Sequence, residues 1–205
     1  MHEPAGPAGA RPASARPGPS FLPRDGLAAL FEALRADGRT VIGPTVADGA
    51  IVLAPVDAPD DLPRGWGDRQ EAGRYHLERR EHDRLFAYNM GPTSFKRYTF
   101  PPRTEIGRSR VTEDGGATFE TAVPEPPPLA FLGVRACEIE ALRIQDTVLT
   151  GGPYVDADYA ARRASALVIA VNCTTAASTC FCTSMGSGPE VTGGHDPAPP
   201  ELAHR

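Results

Sequence analysis

Two short, uninterrupted apolar runs occupy positions 129–134 and 166–171, with turn residues on either side of each. Such runs are typical of strands that are buried on both faces of a sheet. A stretch with helical character, 138–149, lies between them, and Asp156 or Asp158 is in position to cap a second, shorter helix. Strand, helix and strand in this order predict parallel strands joined by a right-handed crossover. The pattern therefore predicts an α/β fold with a parallel βαβ core.

The N-terminal part of the chain has the pattern of one amphipathic helix followed by a hairpin. The apolar residues of the helix recur at i, i+3, i+4 and i+7, namely Leu27, Leu30, Phe31 and Leu34. Asp25 is in position to cap this helix, and Gly38 is in position to end it. The runs 40–44 and 50–53 flank a turn that contains Gly49. They predict a hairpin that forms a small sheet against the helix.

Between these two parts the hydrophobic pattern is weaker. Residues 56–69, rich in proline and glycine, are predicted to form a loop around the only tryptophan. Residues 71–83 are strongly charged and are predicted to lie on the surface. A short strand is predicted at 85–88, and a surface hairpin at 110–121.

Basic and aromatic side chains alternate in residues 95–100. One interpretation is a nucleic-acid surface, with aromatic side chains that stack on bases and cations that contact phosphate. A second is a loop or short helix with one buried aromatic face, and the acidity of the whole chain favours it. A third is that Lys96, Arg97 and Arg103 contact an adjacent subunit or a cofactor phosphate.

Composition divides the chain into an ordered middle and two tails. The chain has 22 prolines and 21 glycines, many of them near its ends. Residues 1–20 hold too little apolar surface to offset their ordering entropy, so they are predicted to be disordered, as is a polar tail at 190–205. The ordered remainder is predicted to comprise a helix-and-hairpin part, 21–125, and a cysteine-bearing βαβ part, 126–189.

The net charge and the lengths of the apolar runs argue against several classes of protein. The formal net charge of −5 argues against a nucleic-acid partner that is held by phosphate neutralisation. No apolar run is long enough to cross a membrane, and the N-terminus lacks the apolar core of a secretory signal. We therefore expect a soluble, cytoplasmic protein without a membrane partner. In that compartment its four cysteines are reduced thiols or metal ligands rather than disulfides.

All four cysteines lie in or just after the predicted βαβ unit, at Cys137, Cys173, Cys180 and Cys182. Cys137 and Cys173 each follow a predicted parallel strand, so both should lie at the edge of the sheet where open α/β folds bind ligands. At Cys137 the start of a helix is expected to stabilise the thiolate. Four thiolates suit one four-iron cluster, whereas the single residue between Cys180 and Cys182 suits zinc less well.

Apart from zinc, two other interpretations of the four cysteines are open. Cysteine is among the most buried residue types, so each of the four can be a simple packing residue. A cysteine nucleophile with a histidine base is disfavoured, because no histidine falls among the cysteines.

Three neighbouring residues are candidates for binding the cofactor. Gly186 and Gly188 belong to a run of small residues that can bring backbone N–H groups to an anion or to cluster sulfurs, although such a run also occurs in plain loops. Arg135 can lower the pKa of Cys137, or it can pair with Glu138 or Glu140, which we favour.

Several unusual motifs of this region occur together in a known family. They are GVRACE (133–138), DYAARR (158–163), VNCT (171–174) and TCFCTSMGSGP (179–189), preceded by YTFPPR (98–103). In order and spacing they resemble the beta subunit of cytosolic sulfhydrogenases and the related A subunit of anaerobic sulfite reductase. The resemblance covers residues 77–189 and is carried by the motifs together, not by any one of them.

The resemblance implies a non-catalytic iron–sulfur subunit of an oxidoreductase complex. Such a subunit relays electrons between a flavin-bearing, NAD(P)H-oxidising subunit and a catalytic subunit. Members of the family continue into a ferredoxin-like module with two four-iron clusters, and no cysteine run of that type occurs in these 205 residues. We therefore expect one cluster at most in this chain, as in a truncated N-terminal part, with two further clusters only in the missing half. The alternative is a non-redox α/β assembly or interaction module with structural cysteines.

Overall fold

A mixed four-stranded sheet organises the fold in the computed structural model, which describes residues 26–89, 91–122, 125–194 and 196. The helices are α1 (Gly26–Ala36), α2 (Lys96–Thr99), α3 (Ala136–Thr150) and α4 (Ala157–Ser165), with a 3₁₀ turn at Pro59–Asp61. The strands are β1 (Thr40–Ala47), β2 (Ala50–Pro55), β3 (Trp66–Glu71), β4 (Arg74–Arg79), β5 (Gly107–Val111), β6 (Ala117–Thr121), β7 (Leu129–Val134) and β8 (Leu167–Ala170).

The predicted βαβ core is confirmed. Strands β7 and β8 are parallel neighbours, and α3 and α4 lie between them in the chain. The hairpin β1–β2 is also confirmed, with left-handed backbone at Asp48 and Gly49 in its turn. The chain is thus an α/β protein.

The sequence predicts a small sheet of this hairpin against the helix, and the structure instead makes the hairpin part of a larger sheet. Strand β1 pairs in parallel with β7, from Thr40 opposite Leu129 onward, so the sheet has the order β2-β1-β7-β8. The pairing joins residues almost ninety positions apart, and no local pattern in the sequence reports a contact of that range. One sheet therefore takes strands from both the 21–125 and the 126–189 parts.

Both faces of the sheet are buried, as the apolar runs predict. On one face, Ala130 and Leu132 of β7 pack with α1, whose buried side chains are Leu27, Phe31 and Leu34. On the other face, Phe131 packs with Phe95, and their ring centroids are 4.8 Å apart. Phe95 immediately precedes α2, so the interpretation of residues 95–100 as a short helix with a buried aromatic face agrees with the structure.

The middle of the chain contains a hairpin that the sequence pattern does not predict. Strands β3 and β4 are antiparallel and join through a turn in which Gly73 has a φ of +71°. The predicted loop at 56–69 is therefore wrong where β3 begins, whereas residues 71–83 lie at the surface as predicted, since none of them is buried. The strand predicted at 85–88 is also wrong, because these residues are buried without strand pairing in the described structure.

Helix α4 is anchored to α3 by a buried tyrosine. The predicted cap is confirmed at Asp156, whose carboxylate accepts the Tyr159 N–H at 2.9 Å. Tyr159 is fully buried, and its hydroxyl donates to Asp146 of α3. Burial and the Asp146 carboxylate raise the pKa of Tyr159. No described helix combines the length and the apolar character that crossing a bilayer requires.

Removing this hydroxyl should loosen the contact between the two helices. We expect Tyr159→Phe to lower the free energy of unfolding by about 1–2 kcal/mol, since a buried hydrogen bond to a charged acceptor is lost. Urea denaturation measures the change. Tyr154→Phe is the matched control, because Tyr154 is 91% exposed, and it should leave the midpoint unchanged. Equal midpoints for both variants would contradict this role of Tyr159.

The C-terminal segment is ordered where it is described. Asp196 forms a parallel bridge with Ile169 of β8, and its carboxylate accepts the Val168 N–H at 3.0 Å. The prediction of a loose tail from 190 onward is therefore wrong at Asp196 and at Val191, whose N–H donates to Asn172. Residues 1–20, the cap at Asp25 and the last nine residues lie outside the described part of the chain.

Candidate metal centre

The candidate site lies where β7 and β8 end side by side. Because the two strands are parallel, their carboxyl ends meet at one edge of the sheet. Cys137 follows β7 in the first turn of α3, and Cys173 follows β8. The predicted placement of these two cysteines is thus confirmed by the strand pairing.

The loop that carries the other two cysteines returns to this same edge. The Cys173 N–H donates to the Pro189 carbonyl at 3.2 Å, so residues 173 and 189 close the loop. Next to this closure, the Val191 N–H donates to Asn172 Oδ1 at 2.9 Å. The loop is also fixed to β3, because the Ser178 hydroxyl donates to the Gln70 carbonyl at 2.8 Å.

Gly188 brings Cys182 close to the start of α3. A Cβ at position 188 would lie 3.4 Å from Cys182 Sγ and 3.4 Å from the Ala136 side chain. Gly188 therefore lies beside both the Cys182 sulfur and the residue that precedes Cys137, at ordinary van der Waals distance. The binding of a cofactor by Gly188 stays a prediction. Gly186 has a φ of +64° and open space around it, which is the geometry of a turn glycine.

The pKa of Cys137 depends on burial and on the charges of neighbouring residues, including two of the other cysteines. Burial raises the pKa of Cys137 to about 11, and the charges of Glu138, Cys182 and Cys173 add to the rise. The expectation that the helix start stabilises the Cys137 thiolate is therefore wrong for the metal-free chain, because burial, with smaller contributions from Glu138, Cys182 and Cys173, outweighs the local backbone N–H. A divalent metal or an iron–sulfur cluster reverses this balance, since a coordinating thiol is deprotonated by the metal charge.

The raised pKa predicts slow alkylation of Cys137 in the metal-free protein. At pH 8 its thiolate fraction should be about a hundredfold below that of an ordinary thiol, since its pKa lies about two units higher. Iodoacetamide labelling followed by peptide mass spectrometry should show Cys180 modified before Cys137, although both side chains are exposed. Labelling of Cys137 should accelerate about tenfold per pH unit up to pH 10. Equal rates for both cysteines at pH 8 would contradict the expectation.

Cys180 stands apart from the other three. Its side chain is exposed, as is that of Cys137, but its sulfur accepts the Ala177 N–H at 3.3 Å within its own loop. It is not among the groups that raise the pKa of Cys137. Cys173 and Cys182 thus lie near enough to Cys137 for their charges to act on its thiol, whereas Cys180 is turned toward Ala177.

The thiols as they stand do not form a finished coordination site. In the described part of the chain, no three His, Cys, Asp or Glu side chains are grouped so as to hold a metal ion. Cys173 also donates its S–H to the Thr175 carbonyl at 3.2 Å. The residues nevertheless fit an iron–sulfur cluster in donor type, because four thiolates are its usual ligands and this region holds four cysteines. The fourth is supplied if Cys180 leaves Ala177.

Arg135 is buried next to the site and holds two segments of the chain together. Its side chain is 2% exposed, and its guanidinium donates to the carbonyls of Asn172 at 2.8 Å, Tyr88 at 3.2 Å and Phe86. It also lies 5.0 Å from the centroid of the Tyr88 ring. Arg135 thereby joins the segment before Cys173 to a buried segment from the middle of the chain.

The pairing predicted for Arg135 is only partly found. Glu138 Oε2 accepts the backbone N–H of Arg135 at 3.0 Å, whereas Glu140 pairs with Arg143 at 2.8 Å. Burial raises the pKa of Glu138 to about 8, and the N–H and charge of Arg135 oppose that rise. The folded state keeps a proton that the unfolded state releases above its lower pKa, so the stabilising contribution of Glu138 falls as the pH rises toward 8.

Sequence reasoning missed the burial of Glu138. Its position at the third residue of α3, with its carboxylate on the N–H of the residue before the helix, is the spacing of a capping residue. That spacing is visible in the sequence, but it predicts a solvated cap rather than a buried one. Glu138 Oε1 has no hydrogen-bond partner among the described residues.

No family model, curated protein or solved structure matches the chain. The resemblance to sulfhydrogenase beta subunits and anaerobic sulfite reductase A subunits therefore stays a prediction from the motifs.

Proposed function

We propose that the protein is a cytoplasmic iron–sulfur electron-transfer subunit whose four cysteines bind one four-iron cluster. The observation that supports the proposal is that Cys137 and Cys173 follow two neighbouring parallel strands, while Gly188 lies beside both Cys182 Sγ and Ala136 at the start of α3. Cys180 belongs to the same closed loop and is two residues from Cys182, so rotation of its side chain can complete a set of four thiolates.

The chain would hold the cluster and take no part in bond making. When bound, the cluster supplies storage of one electron. Cys137 and Cys173 would hold it against the sheet, and Cys180 and Cys182 would hold it from the loop. Arg135 keeps the two strand ends in register, because its guanidinium spans from Asn172 to the segment with Phe86 and Tyr88. A rigid support of this type keeps ligand positions fixed during electron transfer.

Partners would dock over the cysteine loop. Phe181 is 69% exposed and Met185 61% exposed, and they lie on either side of Cys182 in the chain. The Met185 N–H donates to the Phe181 carbonyl at 3.2 Å, so both belong to one turn. Exposed apolar side chains next to thiols suit a contact with another subunit. By the motif resemblance, these subunits are a flavin-bearing subunit and a catalytic subunit of hydrogenase or sulfite reductase type.

Reversible reduction of the loaded protein tests the proposal. Anaerobically reconstituted protein should show broad visible absorption that bleaches with dithionite and returns with a mild oxidant. The reduced form should give the electron paramagnetic resonance signal of a one-electron-reduced cluster. Protein that holds iron without reversible bleaching would contradict an electron-transfer role.

A non-redox assembly module is the second candidate. It is favoured by the hydrogen bonds that two thiols make without metal, from Cys173 to Thr175 and from Ala177 to Cys180. Protein that stays folded and takes up neither iron nor zinc under reconstitution would select this candidate.

A further inference from the structure

The hairpin β5–β6 is exposed to an unusual degree. It forms a two-stranded sheet of its own, and all ten of its strand residues are exposed. Val111 is 80% exposed and Phe119 is 81% exposed. An isolated two-stranded hairpin is marginally stable in water, and stability requires further strands or a packed face. Pairing with another strand would therefore stabilise this hairpin.

The pattern of hydrogen bonds between β5 and β6 shows which backbone groups point outward from the hairpin. The Thr112 N–H donates to the Gly116 carbonyl at 2.9 Å, and the Ala122 N–H donates to the Ile106 carbonyl at 3.2 Å. Bonded and non-bonded pairs alternate along an antiparallel ladder. Even-numbered residues of β6 therefore bond to β5, and the N–H and C=O groups of Ala117, Phe119 and Thr121 point away from it.

The side chains divide cleanly between the two faces of the hairpin. Successive residues of a strand alternate between faces, so Val111, Ala117 and Phe119 lie on one face. The other face carries Arg108 and Arg110, with Glu120 and Thr118 opposite them. The first face also carries Gly107, Ser109 and Thr121, so it is uncharged with an apolar patch, whereas the other face is charged.

The two strands of the hairpin, β5 and β6, differ in whether each can pair with the same strand of a second copy of the chain. A two-fold axis at Phe119 would pair β6 with β6 and place Thr118 opposite Glu120 of the second copy, with no like charges opposed. An axis at Ser109 would pair β5 with β5 and place Arg108 opposite Arg110 of the second copy. Like charges directly opposite each other destabilise a strand pair. The β6 edge is therefore the one that can pair with itself.

We propose that two copies of the chain associate through antiparallel pairing of their β6 strands about Phe119. The product is a four-stranded sheet in which Val111, Ala117 and Phe119 of both copies form one apolar patch. Outward backbone groups of Ala117, Phe119 and Thr121 complete the ladder across the axis. The contact is small, so the dimer should be of moderate affinity and dissociate on dilution.

Sedimentation equilibrium of the full chain between about 1 and 100 µM tests the inference, a range chosen to bracket a moderate dissociation constant. Wild-type protein should approach twice the chain mass of 21.7 kDa at the upper concentrations. Phe119→Pro removes an outward N–H that β5 does not use, so it should weaken the dimer at least about tenfold while the hairpin persists.

The matched control is Ser109→Pro, directly opposite Phe119 on the other edge. It removes the equivalent outward N–H of β5 and should leave the dimer unchanged. Circular dichroism confirms that both variants are folded. A monomeric wild type at all concentrations overturns the proposal and leaves the edge to a different chain. Equal loss of the dimer in both variants, or none in Phe119→Pro, also overturns it.

Discussion

Replacing Arg135 with methionine is expected to lower the free energy of unfolding by about 3–5 kcal/mol, because three backbone carbonyls would be left without their donor in the interior, at about 1–3 kcal/mol for each unsatisfied group. Methionine fills much of the same space but donates no hydrogen bonds. The carbonyls of Phe86, Tyr88 and Asn172 would lose a donor in the interior. Glu138 would lose the positive charge that now opposes the rise of its pKa. Urea denaturation of the metal-free protein measures the loss.

Arg143→Met is the control for this substitution. Arg143 also lies three residues from a glutamate of α3, but its side chain is 67% exposed. Its loss should change the free energy of unfolding by no more than about 0.5 kcal/mol, because exposed ion pairs contribute little. If the two variants are equally stable, Arg135 does not support the sheet edge as described.

Replacing the cysteines with serine is expected to abolish bound iron. Cys137→Ser, Cys173→Ser and Cys182→Ser should each reduce iron from about four to below about one per chain after anaerobic reconstitution, since a cluster needs its thiolate ligands. The folds should persist, because these cysteines lie at the sheet edge and not in its core. Iron analysis and circular dichroism on the same samples measure both outcomes.

Two further variants sharpen this test. Ser184→Ala changes an exposed residue of the same loop and should leave iron unchanged. Cys180→Ser should lose iron like the other three if Cys180 turns from Ala177 to complete the cluster. Full retention of iron in Cys180→Ser would exclude it as a ligand. Full retention in any of the other three would overturn the single site.

Local patterns predicted the parts of the fold whose reasons are local. The apolar runs of β7 and β8 have to be buried on both faces, and they are. The helix α3, the cap at Asp156 and the glycine after α1 follow from spacing and backbone preference. The sequence pattern does not predict strands β3 and β4, because charged side chains on both faces obscure the alternation of apolar and polar residues.

The candidate site could be predicted only in outline. Parallel strands fixed the positions of Cys137 and Cys173, but the direction of the pKa shift at Cys137 depends on burial. The carbonyls that receive Arg135 come from residues 86 and 88, some fifty positions earlier, and their approach depends on tertiary packing. The orientation of Cys180 toward Ala177 is likewise set by the loop as a whole.

The most direct test of the central claim is the count of iron and acid-labile sulfide in wild-type protein after anaerobic reconstitution. One four-iron cluster on four thiolates predicts about four of each per chain. Folded protein that binds neither, or that binds one zinc per chain instead, would contradict the claim.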